Sequence, residues 1–188
     1  YGEELQFVEI ELDPKETAIA ESGAMMMMDD GIQMQTIFGD GSAQQPTGFF
    51  GKLVSAGKRV LTGESLFMTA FTNEAQGKKK VSFAAPYTGK IIPMDLRELG
   101  GTIIAQKDAF LCAAKGVSVG IHFQRKLGVG IFGGEGFIME KLEGDGMVFL
   151  HAGGFIVEKT LNAGEVLKID TGCVVAYTPQ MQFDIEFV

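Results

Sequence analysis

The chain has 188 residues, 46% of them hydrophobic, and carries 24 acidic against 16 basic side chains for a net charge of -8. That length can bury a substantial core, no apolar run approaches the roughly 20 residues of a membrane-spanning helix, and the negative charge opposes non-specific attraction to phosphate backbones or anionic lipid. With no basic segment leading into an apolar one at the N-terminus, a cytoplasmic protein without a transmembrane segment is expected.

Glycine supplies 26 residues, about double the usual share, and recurs between segments too short for ordinary helices. Phe7 to Leu12 reads as an opening strand. Thr17 to Gly23 leads into Ala24 and the run Met25, Met26, Met27, Met28. Successive side chains of a strand point to opposite faces, so this run supplies both a core face and a face for a subunit contact. Soft-metal binding by thioethers would need more ligands than the run offers. Gly39 to Pro46 is loop-like, and Thr47 to Leu61 has apolar residues spaced for a short helix or an apolar flap. Within it, adjacent Phe49 and Phe50 cannot share one strand face and form a second candidate interface.

Gly63-Glu64-Ser65-Leu66-Phe67-Met68 is echoed 71 residues later by Gly134-Glu135-Gly136-Phe137-Ile138-Met139. Each copy precedes a Gly-containing turn and an apolar strand, Val81 to Ala84 and then Met147 to Leu150. Lys78, Lys79 and Lys80 between these features read as a solvated turn. A second pair of similar stretches, Ile103 to Cys112 and Val166 to Val175, reads as strand, acidic turn and strand. Gly116 to Arg125 alternates, with Val117, Val119, Ile121 and Phe123 on one face; Met181 to Phe187 alternates in the same way. Gly128 to Gly133 matches a G-x-G-x-x-G string but lacks a surrounding βαβ unit, so a turn or bulge is expected. Repetition of this kind lets neighbouring hairpin units bury one another's apolar faces, and a single β domain over residues 1–188 with internal pseudo-repeats is expected.

Chemistry-bearing residues are sparse. His122 and His151 have no metal-motif partner and are expected to be exposed or hydrogen-bonded structural residues. Cys112 and Cys173 lie in apolar runs and are expected to be buried and free. Glu64 and Glu135 occupy matched positions, which favours a local role over catalysis. No catalytic, cofactor-binding or metal site is assigned.

Lys58-Arg59-Val60-Leu61-Thr62-Gly63-Glu64-Ser65-Leu66-Phe67-Met68, followed by Val81 to Pro86 and Gly89-Lys90-Ile91, resembles the altered-inheritance-of-mitochondria family and its bacterial homologues, long of unknown function. The resemblance covers nearly the whole chain, and Lys58, Arg59, Leu61, Gly63, Glu64, Leu66 and Phe67 carry its strongest segment. It implies an all-β fold similar to the tryptophan RNA-binding attenuator protein, with repeated β-hairpin units in a β-sandwich or double-stranded β-helix-like domain. It also implies a homo-oligomer, a trimer or larger ring. It does not carry over RNA binding, because fold does not imply function.

These observations favour an uncharacterised, non-enzymatic structural or protein-interaction role, with an unidentified protein partner and no cofactor. A small-ligand-binding protein or enzyme is the first alternative, and a nucleic-acid-binding protein the second.

Overall fold

The computed structural model describes residues 1–38, 67–125 and 136–186. The strands are β1 (Phe7–Leu12), β2 (Thr17–Glu21), β3 (Met25–Met28), β4 (Ile32–Phe38), β5 (Phe67–Asn73), β6 (Lys79–Ala84) and β7 (Lys90–Asp95). They continue as β8 (Thr102–Gln106), β9 (Phe110–Ala114), β10 (Ser118–Arg125), β11 (Phe137–Glu143), β12 (Met147–Ala152) and β13 (Ala176–Tyr177). Helix among the described residues is confined to two 3-10 turns, Lys107–Ala109 and Thr171–Cys173. The all-β reading holds, and its physical basis is the one expected: short apolar segments punctuated by glycine and polar turns.

The strands form antiparallel sheets in the orders β1-β6-β3, β4-β5-β2-β9-β12-β7 and β10-β11-β8-β13. The order contains a repeat. The sets β1-β6-β3 and β4-β5-β2 recur as β7-β12-β9 and β10-β11-β8. Met68 lies opposite Glu21 and Met139 lies opposite Gln106, so the echo between Gly63 to Met68 and Gly134 to Met139 leads into equivalent strands at equivalent register. Even the irregularities match. One extra residue, Met26, is bulged between Met25 and Met27 against β6, and Leu111 is bulged between Phe110 and Cys112 against β12.

Among the described residues, three apolar clusters lie against these sheets. The first core joins Ile19, Met68, Phe110 and Leu150 of the six-stranded sheet to Ile103, Val119 and Leu142 of the four-stranded one. The second joins the opposite face of the six-stranded sheet, through Ala18, Ala20 and Phe71, to Val81 and Phe83 of the three-stranded sheet. Phe71 and Phe83 meet edge to face there at 5.0 Å between ring centroids, a favoured aromatic geometry. The third core is smaller and joins Ile104, Phe137 and Met139 to Ile185. Alternation along β2 and β8 explains this division, since successive residues serve opposite faces.

Four expectations need correction. Phe123 does not share a face with Val117, Val119 and Ile121: the ladder shifts between Ile121 and Phe123, and the bulge turns Phe123 to the third core. A bulge re-aims the strand that carries it. Val166 to Ile169 is not a ladder strand; Val166 is 82% exposed and Ile169 53%. Met181 to Glu186 likewise lies outside any ladder, although its alternation survives, with Phe183 packed on and Ile185 buried in the third core. Cys173 is exposed because it closes a 3-10 turn, whereas Cys112 is buried.

Candidate functional site

The chemically distinctive place is one end of the first core. Glu21 ends β2 and follows Ile19 by two residues, so it shares the face that lines this core. Glu140 lies opposite Ala105 in the β11–β8 ladder, which puts it on the wall facing the same core. The turn Lys107–Ala109, which joins β8 to β9, brings Lys107 and Asp108 to the same end. Glu140 is only 3% exposed, and its Oε2 has no hydrogen-bond partner among the described residues. Burial is the main force on it: loss of hydration raises its carboxyl to about 8, the nearby Glu21 and Asp108 adding to the rise and Lys107 opposing it. Glu21 is raised to about 6, again by burial first, with Lys107 opposing and Asp108 adding. Glu140 therefore holds its proton at neutral pH, and the charge of Glu21 adds to that preference.

His151 is the other departure from expectation. It is buried, and neither ring nitrogen finds a well-formed hydrogen bond among the described residues. Its ring meets Tyr87 edge to face at 4.4 Å. Burial lowers its pKa, opposed in part by the Tyr87 backbone, so the neutral imidazole is favoured. Gly89 makes this packing possible: a Cβ there would stand 2.2 Å from the Ala152 carbonyl oxygen and 2.8 Å from His151 Nε2. His122 is the exposed extra residue of the β10 bulge.

The methionine run forms β3, hydrogen-bonded to β6 on one side, with Met25 packed on the second core and Met26, Met27 and Met28 exposed. Phe49, Phe50, Lys58, Arg59, Leu61, Gly63, Glu64 and Leu66 lie outside the described residues, as do Glu135, the Gly128 to Gly133 string and the interval Thr47 to Leu61. Phe67 begins β5, opposite Phe38 of β4. The triple lysine is only partly a turn: Lys79 and Lys80 open β6, and Lys78 and Lys80 make ion pairs to Glu11 at 2.6 Å and Glu9 at 2.7 Å on neighbouring β1.

Sequence reasoning missed Glu21 and Glu140. The signal for Glu140 was present, since it alternates with Ile138 and Leu142 and so interrupts an apolar face. The approach of Glu21 from another strand has no local signature. Among the described residues no group of three or more His, Cys, Asp or Glu side chains is arranged to hold a metal ion, and no helix is long and apolar enough to cross a membrane.

Relatives bear on what this architecture belongs to. An uncharacterized protein of Streptococcus pyogenes serotype M6 is 30% identical over 182 residues, a match spanning 95% of this chain and 68% of the relative. A crystal structure of a Streptococcus pyogenes protein is similar with a TM-score of 0.59 at 22% identity, covering 82% of this chain and 62% of that one, a likeness of fold. The chain thus spans less than two thirds of the length of that solved protein. The family model described as mitochondrial biogenesis AIM24 matches residues 1–188, and the chain belongs to that family.

Proposed function

We propose that this protein is a structural β scaffold that works by association, first with copies of itself and through that assembly with a protein partner. The carrying observation is Phe155, Ile156 and Val157, consecutive apolar residues exposed to 92%, 36% and 68%. A contiguous apolar patch on a folded surface is costly in water and is commonly resolved by another protein surface. Closed symmetry would limit further growth, and the family resemblance favours three copies. Replacing Phe155 and Val157 by Ser, while circular dichroism confirms an unchanged fold, is expected to lower the mass of the assembly in analytical ultracentrifugation; an unchanged mass would count against this surface.

A second reading rests on Glu140. A buried carboxyl with an unpartnered oxygen, beside Glu21 and Lys107, suits a small ligand that brings a hydrogen-bond donor or a cation. Thermal-shift screening of small amines and cations in Glu140→Gln against the parent chain tests it, the expected result being a shift that the variant loses.

A further inference from the structure

The repeated units are joined by one kind of ladder. In it, the second strand of one unit pairs with the third strand of the next. Ala20 of β2 lies opposite Cys112 of β9, and Ile19 lies opposite Ala113. The join recurs where Ala105 of β8 lies opposite Ala176 of β13, and Ile104 lies opposite Tyr177. The matched 3-10 turns Lys107–Ala109 and Thr171–Cys173 fix the correspondence, since each follows an extended capping residue, Gln106 or Asp170. Ala20, Ala105 and Ile169 therefore hold equivalent positions in the chain, and Val166 to Asp170, which is in no ladder, occupies the place of a second strand in a third unit.

Applying the same join once more requires a partner for Val166 to Asp170, and among the described residues β3 is the third strand that has no second strand paired to it, since β9 pairs with β2 and β13 with β8. β3 ends its sheet, hydrogen-bonded only to β6 among the described residues, whereas its equivalent β9 is paired on both sides, to β12 and β2. The matched bulges make Met27 the equivalent of Cys112 and Met28 the equivalent of Ala113. We infer that Val166 to Asp170 of the same chain adds antiparallel to the free edge of β3, with Ile169 opposite Met27 and Lys168 opposite Met28.

Both partners have the chemistry for it. A free strand edge presents unpaired N–H and C=O groups, and the segment that would meet it carries exposed Val166, Leu167 and Ile169 beside exposed Met27. Met27 lies opposite Ser82, on the face away from Val81 and Phe83 of the second core, so Leu167 and Ile169 join Met27 on that face at this register. The segment's existing ion pair, Lys168 to Glu186, is exposed and holds it weakly elsewhere. Tethering through β13 gives the segment a high effective concentration at its own β3, which favours this chain over a second copy. The closure leaves Phe155 to Val157 for association and does not rest on the association reading.

The test uses the full chain with Cys173→Ser as background, Cys112 being buried. Met27→Cys with Ile169→Cys is oxidised at low protein concentration and compared with Met26→Cys with Ile169→Cys, a control that moves the first thiol to the bulged position. Residues directly opposite in an antiparallel pair meet the distance limits of a disulfide. The expected result is an intramolecular disulfide that forms at least ten times faster in the matched pair than in the control. No disulfide, equal rates in the two pairs, or a disulfide joining two copies would overturn the inference. Should the double variant fail to fold, hydrogen exchange on the unsubstituted chain decides: the join places Ile19, and so Lys168, in a hydrogen-bonded pair, so protection of the 168 amide supports closure, and exchange of the whole segment at unprotected rates overturns it.

Discussion

Glu21 and Glu140 reach the end of the first core from opposite walls, one at the tip of β2 and the other in the middle of β11. The relationship makes stability depend on pH. Glu140 has a folded pKa of about 8 against its ordinary 4.5, so between those values the folded state holds a proton that the unfolded chain has released. Its contribution is present in full below about pH 4.5 and is lost as pH rises to about 8. Glu140→Gln is expected to gain stability at pH 8, on the order of a few kcal/mol, and to flatten the slope between pH 5 and 8. Urea melts across that range check it. His151, whose pKa is lowered, acts oppositely, losing its contribution as pH falls.

Asn73 is the clamp of the turn between β5 and β6. It is fully buried, donates through Nδ2 to the Leu12 carbonyl at 2.9 Å and the Gly77 carbonyl at 2.8 Å, and accepts from the Ala75 N–H at 2.9 Å. Asn73→Ala strands these groups, and an unsatisfied buried group costs about 1–3 kcal/mol. A loss of roughly 2–4 kcal/mol in denaturant melts is expected.

The two thiols should behave differently. Burial pushes the Cys112 thiol far up, while Cys173 is exposed. The thiolate is the reactive form, so a maleimide should modify one site quickly in the native protein and the second only on unfolding. Mass spectrometry of digested protein identifies the site, and early modification of Cys112 would contradict the packing of the second core.

Lys78 and Lys80 are paired with Glu11 and Glu9, which raise their pKa values through hydrogen bonding and charge. Replacing Lys78, Lys79 and Lys80 by Ala is therefore expected to change nucleic-acid retention little at physiological salt. A binding titration over a salt series reads this directly.

Much of the fold was legible because its unit is short and repeats. The match of Met68 to Met139 landed on equivalent ladder positions, since the same pattern of turn and apolar strand was enough to specify the same pairing. The misreadings share one cause: a neighbour supplied by another part of the chain. Phe123 changed faces because β11 leaves His122 without an opposite residue. Met181 to Glu186 kept its alternation without a ladder, because periodicity reports burial and not hydrogen bonding. The carboxyl pair was illegible for the same reason, its two members being brought together only by the packing of two sheets. The ladder between β2 and β9 ties the repeated units together, and we expect one cooperative unfolding transition.

The association reading meets its most direct test in sedimentation equilibrium of the unsubstituted chain over a wide concentration range. A mass that is a whole multiple of 20.2 kDa, three copies being the favoured multiple, is the predicted result. A monomer at every concentration would contradict it.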